Sequence, residues 1–130
     1  MMSDPIRHNL LVLHRVPRVA SLGMEPRSLL PGTLDLLLLK ALSLEPMHGY
    51  GIAQRLRQIS GDVFQVEEGT LYPALQKLLT KGWVAGEWKQ TENNRRARYY
   101  KLTASGRKQL QTQRAEFETV LEAIVRVMEA

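Results

Sequence analysis

The sequence predicts a mainly α-helical fold with one small β-hairpin. Three observations support this fold class. Apolar residues recur at helical spacing in three segments between residues 33 and 81, the period changes to two between residues 83 and 102, and a helical pattern then continues towards the C-terminus. The predicted order is therefore helix, helix, short strand, helix, strand, loop, strand and long helix.

The first helix is predicted to start at Thr33, which we expect to be its N-cap. Asp35 follows where the helix dipole favours a negative charge. Pro46 ends the helix, because the residue before a proline avoids the helical conformation. One face is apolar at the spacing i, i+3, i+4, i+7 and i+8, and comprises Leu34, Leu37, Leu38, Ala41 and Leu42.

Two further helices are expected at about residues 48–60 and 69–81. Between them, residues 63–66 alternate and include β-branched side chains, which predicts a brief strand. Pro73 is expected in the first turn of the third helix, where its missing N–H does little harm. Gly82 is typical of the position just after a helix end.

A β-hairpin is predicted next, because residues 83–89 and 98–102 follow a period of two and include several aromatic residues. The polar segment 90–96 between them has the composition of a turn. Thr103 is expected to cap a last helix that runs nearly to the C-terminus.

Composition excludes several classes of protein. The chain has 130 residues and no cysteine, so we expect one domain with an ordinary core, without a disulfide framework or a cysteine-rich zinc site. No apolar run approaches the length of a membrane span, about 18 residues. We therefore expect a cytoplasmic protein with no membrane partner.

Positive charge is concentrated in one region. The formal net charge is +5, from 18 Lys and Arg against 13 Asp and Glu. Between residues 89 and 108, seven basic residues are opposed only by Glu92, so this stretch alone carries more net positive charge than the whole chain. The hairpin and the start of the last helix are thus predicted to face a polyanion.

Three helices followed by a basic hairpin are typical of the winged helix-turn-helix, whose third helix enters the major groove of DNA. The hairpin, or wing, reaches a neighbouring phosphate or the minor groove. The sequence predicts a winged-helix DNA-binding domain at residues 28–103 and a C-terminal dimerisation helix at residues 104–130. Residues 1–27 are aperiodic and rich in helix-breaking proline, which predicts a flexible tail, with translation from Met24 as the alternative.

The start of the third helix mixes hydroxyl and acidic side chains. Thr70 and Tyr72 can donate hydrogen bonds to phosphates or bases. Glu67 and Glu68 would repel phosphate, so we expect them to cap the helix. The alternative is that they accept hydrogen bonds from cytosine N4 in the major groove.

The last helix carries an apolar stripe at heptad-like spacing, which predicts packing against a partner helix. The alternative is that this helix folds back on its own core. The stripe comprises Leu110, Phe117, Val120, Leu121, Ile124, Val127 and Met128. A homodimer would place two wings about a two-fold axis, each facing one half-site of an operator.

Five short motifs occur in order between about residues 29 and 110: Leu30-Pro31-Gly32-Thr33-Leu34, His48-Gly49-Tyr50-Gly51-Ile52, Glu68-Gly69-Thr70-Leu71-Tyr72-Pro73-Ala74-Leu75, Gly82-Trp83-Val84 and Arg98-Tyr99-Tyr100-Lys101-Leu102-Thr103. Together they resemble the PadR family of bacterial transcriptional regulators, in its branch with a single short C-terminal helix. The resemblance implies a winged-helix homodimer, usually a repressor, whose C-terminal helix packs on the partner.

The resemblance also implies which residues approach double-stranded DNA. They lie after the His-Gly motif, at the start of the third helix and in the basic wing: Tyr50, Gly69, Thr70, Tyr72, Pro73, Lys77, Arg95, Arg96 and Arg98. The alternative function is a winged-helix protein-interaction module without specific DNA readout, which the arginines of the wing disfavour.

No enzymatic chemistry and no cofactor are expected, because the sequence contains no nucleophile elbow, no Gly-rich phosphate loop and no set of metal ligands. His48 is expected to be structural, at a helix start. Trp88 and Phe117 are expected to fill the core or the base of the wing. The alternative is that they line a pocket for a small-molecule effector at the dimer cleft.

Overall fold

The computed structural model describes residues 32–130, and the predicted tail lies outside them. The elements in chain order are α1 (Thr33–Leu44), β1 (Met47–His48), α2 (Gly49–Ile59), α3 (Glu68–Thr80), β2 (Val84–Gln90), β3 (Arg96–Leu102) and α4 (Ala104–Met128). The strands form an antiparallel sheet in the order β1-β3-β2. The predicted fold class is confirmed: a mainly helical chain with a small hairpin and a long last helix.

The core lies where α1, α2 and α3 meet one face of the sheet. Its largest fully buried side chains fall at helical spacing along the three helices: Leu38, Leu39, Ile52, Leu71, Leu75 and Leu78. The sheet contributes Met47, Val84 and Tyr100 to this core. Full burial of one such aliphatic side chain contributes roughly 1.5–3 kcal/mol, so this cluster fixes α3 against α1 and the sheet.

α1 begins at Thr33, and the prediction that Thr33 is its N-cap was wrong. Gly32 occupies that position instead, with φ 85° and no side-chain cap hydrogen bond. This left-handed conformation suits glycine, which has no Cβ to clash.

The strand predicted at residues 63–66 does not form, and these residues belong to the loop between α2 and α3. The additional strand is β1, where Met47 pairs with Tyr100 and His48 with Tyr99 of β3. Two residues are too few to show an alternating pattern. Only the presence of β3 beside them makes them a strand.

Pro73 lies inside α3 and not in its first turn, because the helix begins at Glu68. A proline at this position removes the hydrogen bond to the carbonyl of Gly69, four residues earlier. The helix nevertheless continues to Thr80. Burial of Leu75 and Leu78 in the turns that follow stabilises it.

The wing is the hairpin of β2 and β3, paired from Val84 opposite Leu102 to Gln90 opposite Arg96. Thr103 then caps α4 as predicted, since its hydroxyl oxygen accepts a hydrogen bond from the Gly106 N–H at 2.9 Å. The same hydroxyl donates to the Gly82 carbonyl at 2.7 Å, which ties the start of α4 to the turn before β2. Within residues 32–130, no helix combines the length and the apolar character needed to cross a membrane.

Replacement of Gly106 by alanine is expected to lower the free energy of unfolding by about 1–3 kcal/mol. A Cβ at Gly106 would overlap the carbonyl of Trp83. That carbonyl cannot move away freely, because it accepts a hydrogen bond from the Thr103 N–H at 3.1 Å. Urea unfolding followed by circular dichroism measures the change.

The matched control is Gly69→Ala, at another helical glycine. A Cβ there would meet no atom within 4 Å, and alanine favours the helix, so this variant should unfold at the same or higher urea concentration. Equal losses in both variants would contradict the proposed overlap.

Candidate nucleic-acid interface

The N-terminal ends of α2 and α3 border an open groove of about 520 Å³. Three residues predicted to approach DNA, Tyr50, Gly69 and Tyr72, line this groove together. Its other lining residues are Ala53, Val66, Glu67, Glu68 and Leu71. The fold therefore gathers on one surface groups that lie about twenty residues apart in the sequence.

His48 holds the start of α2. Its Nδ1 accepts a hydrogen bond from the Gly51 N–H at 3.0 Å, which confirms the expected structural role. The imidazole stacks on Tyr50 with ring centroids 6.3 Å apart and meets the edge of Tyr99 at 5.2 Å. Because Tyr99 belongs to β3, His48 links the groove to the base of the wing.

Tyr72 lies across the start of α2. A Cβ at Gly49 would come within 2.6 Å of its hydroxyl oxygen, so only glycine leaves room for this ring. Burial raises the pKa of the neighbouring phenol of Tyr100; the Arg98 cation opposes that rise and the Tyr72 phenol adds to it. The contact between α3 and the wing therefore includes Tyr72, Tyr100 and Arg98.

Glu67 occupies the N-cap position of α3 but makes no side-chain cap hydrogen bond, so the expected capping was wrong. Glu68 follows in the first turn, and both side chains are exposed. Neither forms an ion pair within the described part of the chain. Two unpaired carboxylates therefore border the groove.

Lys77, predicted to approach DNA, is engaged within the protein. Its Nζ lies 2.6 Å from a carboxylate oxygen of Asp35 on α1. Asp35 is only 8% exposed and is the one buried charged residue among residues 32–130. A buried carboxylate needs such a partner, because an unpaired charge in the interior is costly.

A sequence signal for this pair existed. Asp35 stands three and four residues before Leu38 and Leu39, inside the apolar face of α1. A carboxylate at such a position points to a buried cation partner. The identity of that partner depends on how α3 crosses α1.

The two cations of α2 are also paired: Arg55 with Glu45 at 2.8 Å and Arg57 with Asp62 at 2.9 Å. At the tip of the wing the arrangement is different. Arg95 and Arg96 are exposed and form no ion pair with any described residue. Of α2, α3 and the wing, only the wing therefore carries cations that form no ion pair with a described residue.

Arg98 differs from the two arginines at the tip. Its guanidinium lies 5.9 Å from the ring centroid of Tyr100, and a Cβ at Gly86 would overlap its Nε. That Nε is buried without a hydrogen-bond partner. The structure therefore places Arg98 within β3, with its side chain packed against Gly86 of β2.

Trp88 and Phe117 do not fill the core, and that expectation was wrong. Trp88 is 59% exposed on β2 and Phe117 is 38% exposed on α4. Most of the predicted apolar stripe of α4 is exposed as well. These side chains are 38–75% exposed: Phe117, Val120, Ile124, Val127 and Met128. Leu110 belongs to the chain's own core, which corrects its assignment to the stripe, and Leu121 is half-buried.

Residues 38–112, more than half of the chain, match the model of the transcriptional regulator PadR-like family. The chain belongs to this PadR-like family. The solved structure of a PadR-like transcription factor from Bacteroides fragilis is similar, with 29% identity, a TM-score of 0.62 and coverage of 74% of this chain and 90% of that one.

A PadR-like transcriptional regulator from Bacillus cereus is similar as well, with 25% identity, a TM-score of 0.67 and coverage of 76% and 94% of the two chains. An uncharacterized protein of Lysinibacillus sphaericus is 29% identical over 98 residues, which cover 75% of this chain and 90% of that protein. The PadR-like chain thus has the winged helix of a DNA-binding transcriptional regulator, a class of protein distinct from enzymes.

In the part of this PadR-like protein that the structure describes, no three side chains of His, Asp or Glu are grouped as metal ligands would be. The polar chemistry of the surface instead comprises hydroxyls and carboxylates around the groove and guanidinium groups on the wing. Such groups can form hydrogen bonds with base edges and phosphates.

The ion pair between Lys77 and Asp35 is expected to contribute about 1 kcal/mol of coupling free energy, near the upper end for partly exposed pairs. The experiment is a double-mutant cycle with Lys77→Met, Asp35→Asn and the double variant, each measured by urea unfolding. Lys77→Met alone should be the more damaging single change, because it leaves the buried Asp35 carboxylate without a partner, whereas Asp35→Asn leaves only a half-exposed ammonium.

The control cycle uses Arg114 and Glu118, an exposed pair one turn apart on α4 at 2.9 Å. Its coupling should be only about 0.3–0.5 kcal/mol. If the Lys77–Asp35 coupling is no larger than this, the pair does not hold α3 against α1.

Proposed function

We propose that this PadR-like protein is a sequence-specific transcriptional repressor that binds an inverted-repeat operator as a homodimer. One observation carries the proposal. Arg95 and Arg96 at the tip of the wing are exposed and form no ion pair with any described residue, whereas the cations of α2 and α3 are held in internal ion pairs.

This charge distribution supports different roles for the wing and for α3 in DNA binding. The wing supplies the cations that neutralise phosphates, an attraction that is independent of sequence. The first two turns of α3 offer the exposed hydroxyls of Thr70 and Tyr72 and the carboxylate of Glu68, which suit hydrogen bonds to base edges. Glu68 is free to accept from cytosine N4, because it does not cap the helix.

Lys77 and Arg98 take other roles in this proposal than direct contact. Lys77 sets the position of α3 through its pair with Asp35. Arg98 supports the wing through its packing on Gly86 and Tyr100. Gly69 and Pro73 are exposed on α3, where a small or flat residue allows the helix to approach the DNA closely.

The exposed stripe of α4 supports the homodimer. Phe117, Val120, Ile124 and Val127 are spaced three and four residues apart, as in the seam of two packed helices. An exposed apolar row of this length is unusual on a monomer and marks an interface. A second copy of the same helix offers a matching row under two-fold symmetry.

The same geometry supports the proposed repressor role. A dimer with two wings and two copies of α3 would occupy two half-sites about one helical turn apart, and so exclude other proteins from that DNA. The resemblance to PadR regulators points the same way. The second candidate is a winged-helix module that binds a protein, and a complex whose affinity does not depend on salt would favour it.

The variant Arg95→Ala with Arg96→Ala is expected to weaken binding to all DNA sequences alike. Loss of two phosphate contacts should reduce the slope of log affinity against log salt concentration by about 2. Fluorescence anisotropy measures both quantities, with a labelled duplex from the region upstream of the gene and a scrambled duplex, at several salt concentrations.

The matched control removes the same charge elsewhere, as Arg114→Ala with Arg126→Ala, two arginines that form ion pairs along α4. This variant should keep the parent slope, provided that light scattering gives it the parent mass. If the two double variants lower the slope equally, only the total charge matters and the wing has no special role.

The variant Val120→Glu with Ile124→Glu is expected to be monomeric at micromolar concentration, because four carboxylates would meet in the proposed seam. Light scattering after gel filtration gives the mass. The control, Ala115→Glu with Thr119→Glu, places the same charges one turn apart at exposed positions on the other side of α4, and should remain dimeric. A parent protein that is monomeric at this concentration would overturn the homodimer.

A further inference from the structure

Trp88 is an exposed aromatic side chain without an assigned role. The other tryptophan, Trp83, is half-buried and is covered by the Lys81 ammonium 4.7 Å from its ring centroid. Trp88 is 59% exposed, far from the core and near the tip of the hairpin. A flat apolar side chain held in water at such a position marks a contact surface.

The register of the wing shows which way Trp88 faces. Trp88 pairs with Arg98, and side chains alternate along a strand, so Trp88 shares a sheet face with Val84 and Tyr100. Those two residues are buried against the helices. Trp88 therefore projects from the wing on the side where α3 lies.

The charge around Trp88 indicates the kind of partner. The guanidinium of Arg96 lies over the indole, 5.7 Å from the ring centroid. Arg95 stands next to Arg96 in sequence, whereas Lys89 faces the other side of the sheet and pairs with Glu87. A partner that accepts an indole beside these cations must combine apolar surface with negative charge.

Duplex DNA meets this requirement at the wall of its minor groove. Deoxyribose offers apolar surface there, phosphates line the edge, and the base edges present mainly hydrogen-bond acceptors. An indole matches this pattern, since its ring is apolar and its N–H is a donor only. Arginine is attracted to the same groove by its negative potential.

We propose that Trp88 is a DNA-contacting residue of the wing, with its indole packed against the deoxyribose wall of the minor groove and Arg96 on the adjacent phosphate. The inference rests on the proposed function and adds to it a contact that the motifs did not indicate. It assigns the apolar part of the wing's contact to one side chain and the ionic part to its neighbours.

The test uses Trp83→Phe, which leaves Trp88 as the one tryptophan of the chain. Binding of a duplex is followed by the anisotropy of a label on the DNA, while the emission of Trp88 and its quenching by acrylamide are recorded in the same titration. Saturation with DNA is expected to shift the emission and to lower the acrylamide quenching constant by about half or more.

Two outcomes would overturn the inference while the proposed function stands. One is DNA that binds while Trp88 emission and quenching stay unchanged. The other is protection of Trp88 on raising the protein concentration without DNA, which would assign the indole to a second copy of the chain. If no duplex binds the parent protein at any salt concentration, the proposed function fails, and this inference with it.

Affinity gives an independent readout. Trp88→Ala is expected to weaken DNA binding about tenfold with an unchanged salt slope, because it removes an apolar contact and no cation. Arg96→Ala should instead reduce the slope by about 1, and Trp83→Phe should bind as the parent does. Each variant is first checked by urea unfolding, and full affinity in a folded Trp88→Ala protein would overturn the inference.

Discussion

The packing of α3 against α1 and the sheet is the constraint on which the rest of the surface depends. Leu71, Leu75 and Leu78 fill the core on one side of α3, and the Lys77–Asp35 ion pair closes the edge of that contact. With α3 fixed, its first turn meets the start of α2. The groove around Tyr50 and Tyr72 exists because these two helix ends are held together.

Paired and unpaired cations lie in different parts of the molecule. The cations of α2 and α3 satisfy nearby carboxylates, so they contribute to the shape of the protein more than to its external field. Arg95 and Arg96 remain free on a hairpin that extends beyond the core. In the proposed complex, a positive field in that position would attract DNA regardless of sequence and would leave discrimination between bases to the polar side chains of α3.

The contact between wing and core is built from aromatic rings and glycines. Tyr72 fits over Gly49, Arg98 fits over Gly86, and Tyr100 lies buried between these two contacts. The contact between the wing and the helices is therefore closely packed at these glycines. α1 contacts both α3 and α4, so the groove and the exposed stripe of α4 are connected through one helix.

The sequence by itself determined the helices, the hairpin, the Thr103 cap, the family and the location of positive charge. These features depend on local periodicity, turn chemistry and short motifs, all of which involve residues close together in the sequence. Only the tertiary structure decided that Met47 and His48 form a strand and residues 63–66 do not, that Lys77 pairs with Asp35, that Leu110 is internal and that Trp88 is exposed. Each of these depends on which distant segment lies beside a residue, because strand pairing, ion pairing and burial are contacts between parts of the chain that no local pattern specifies.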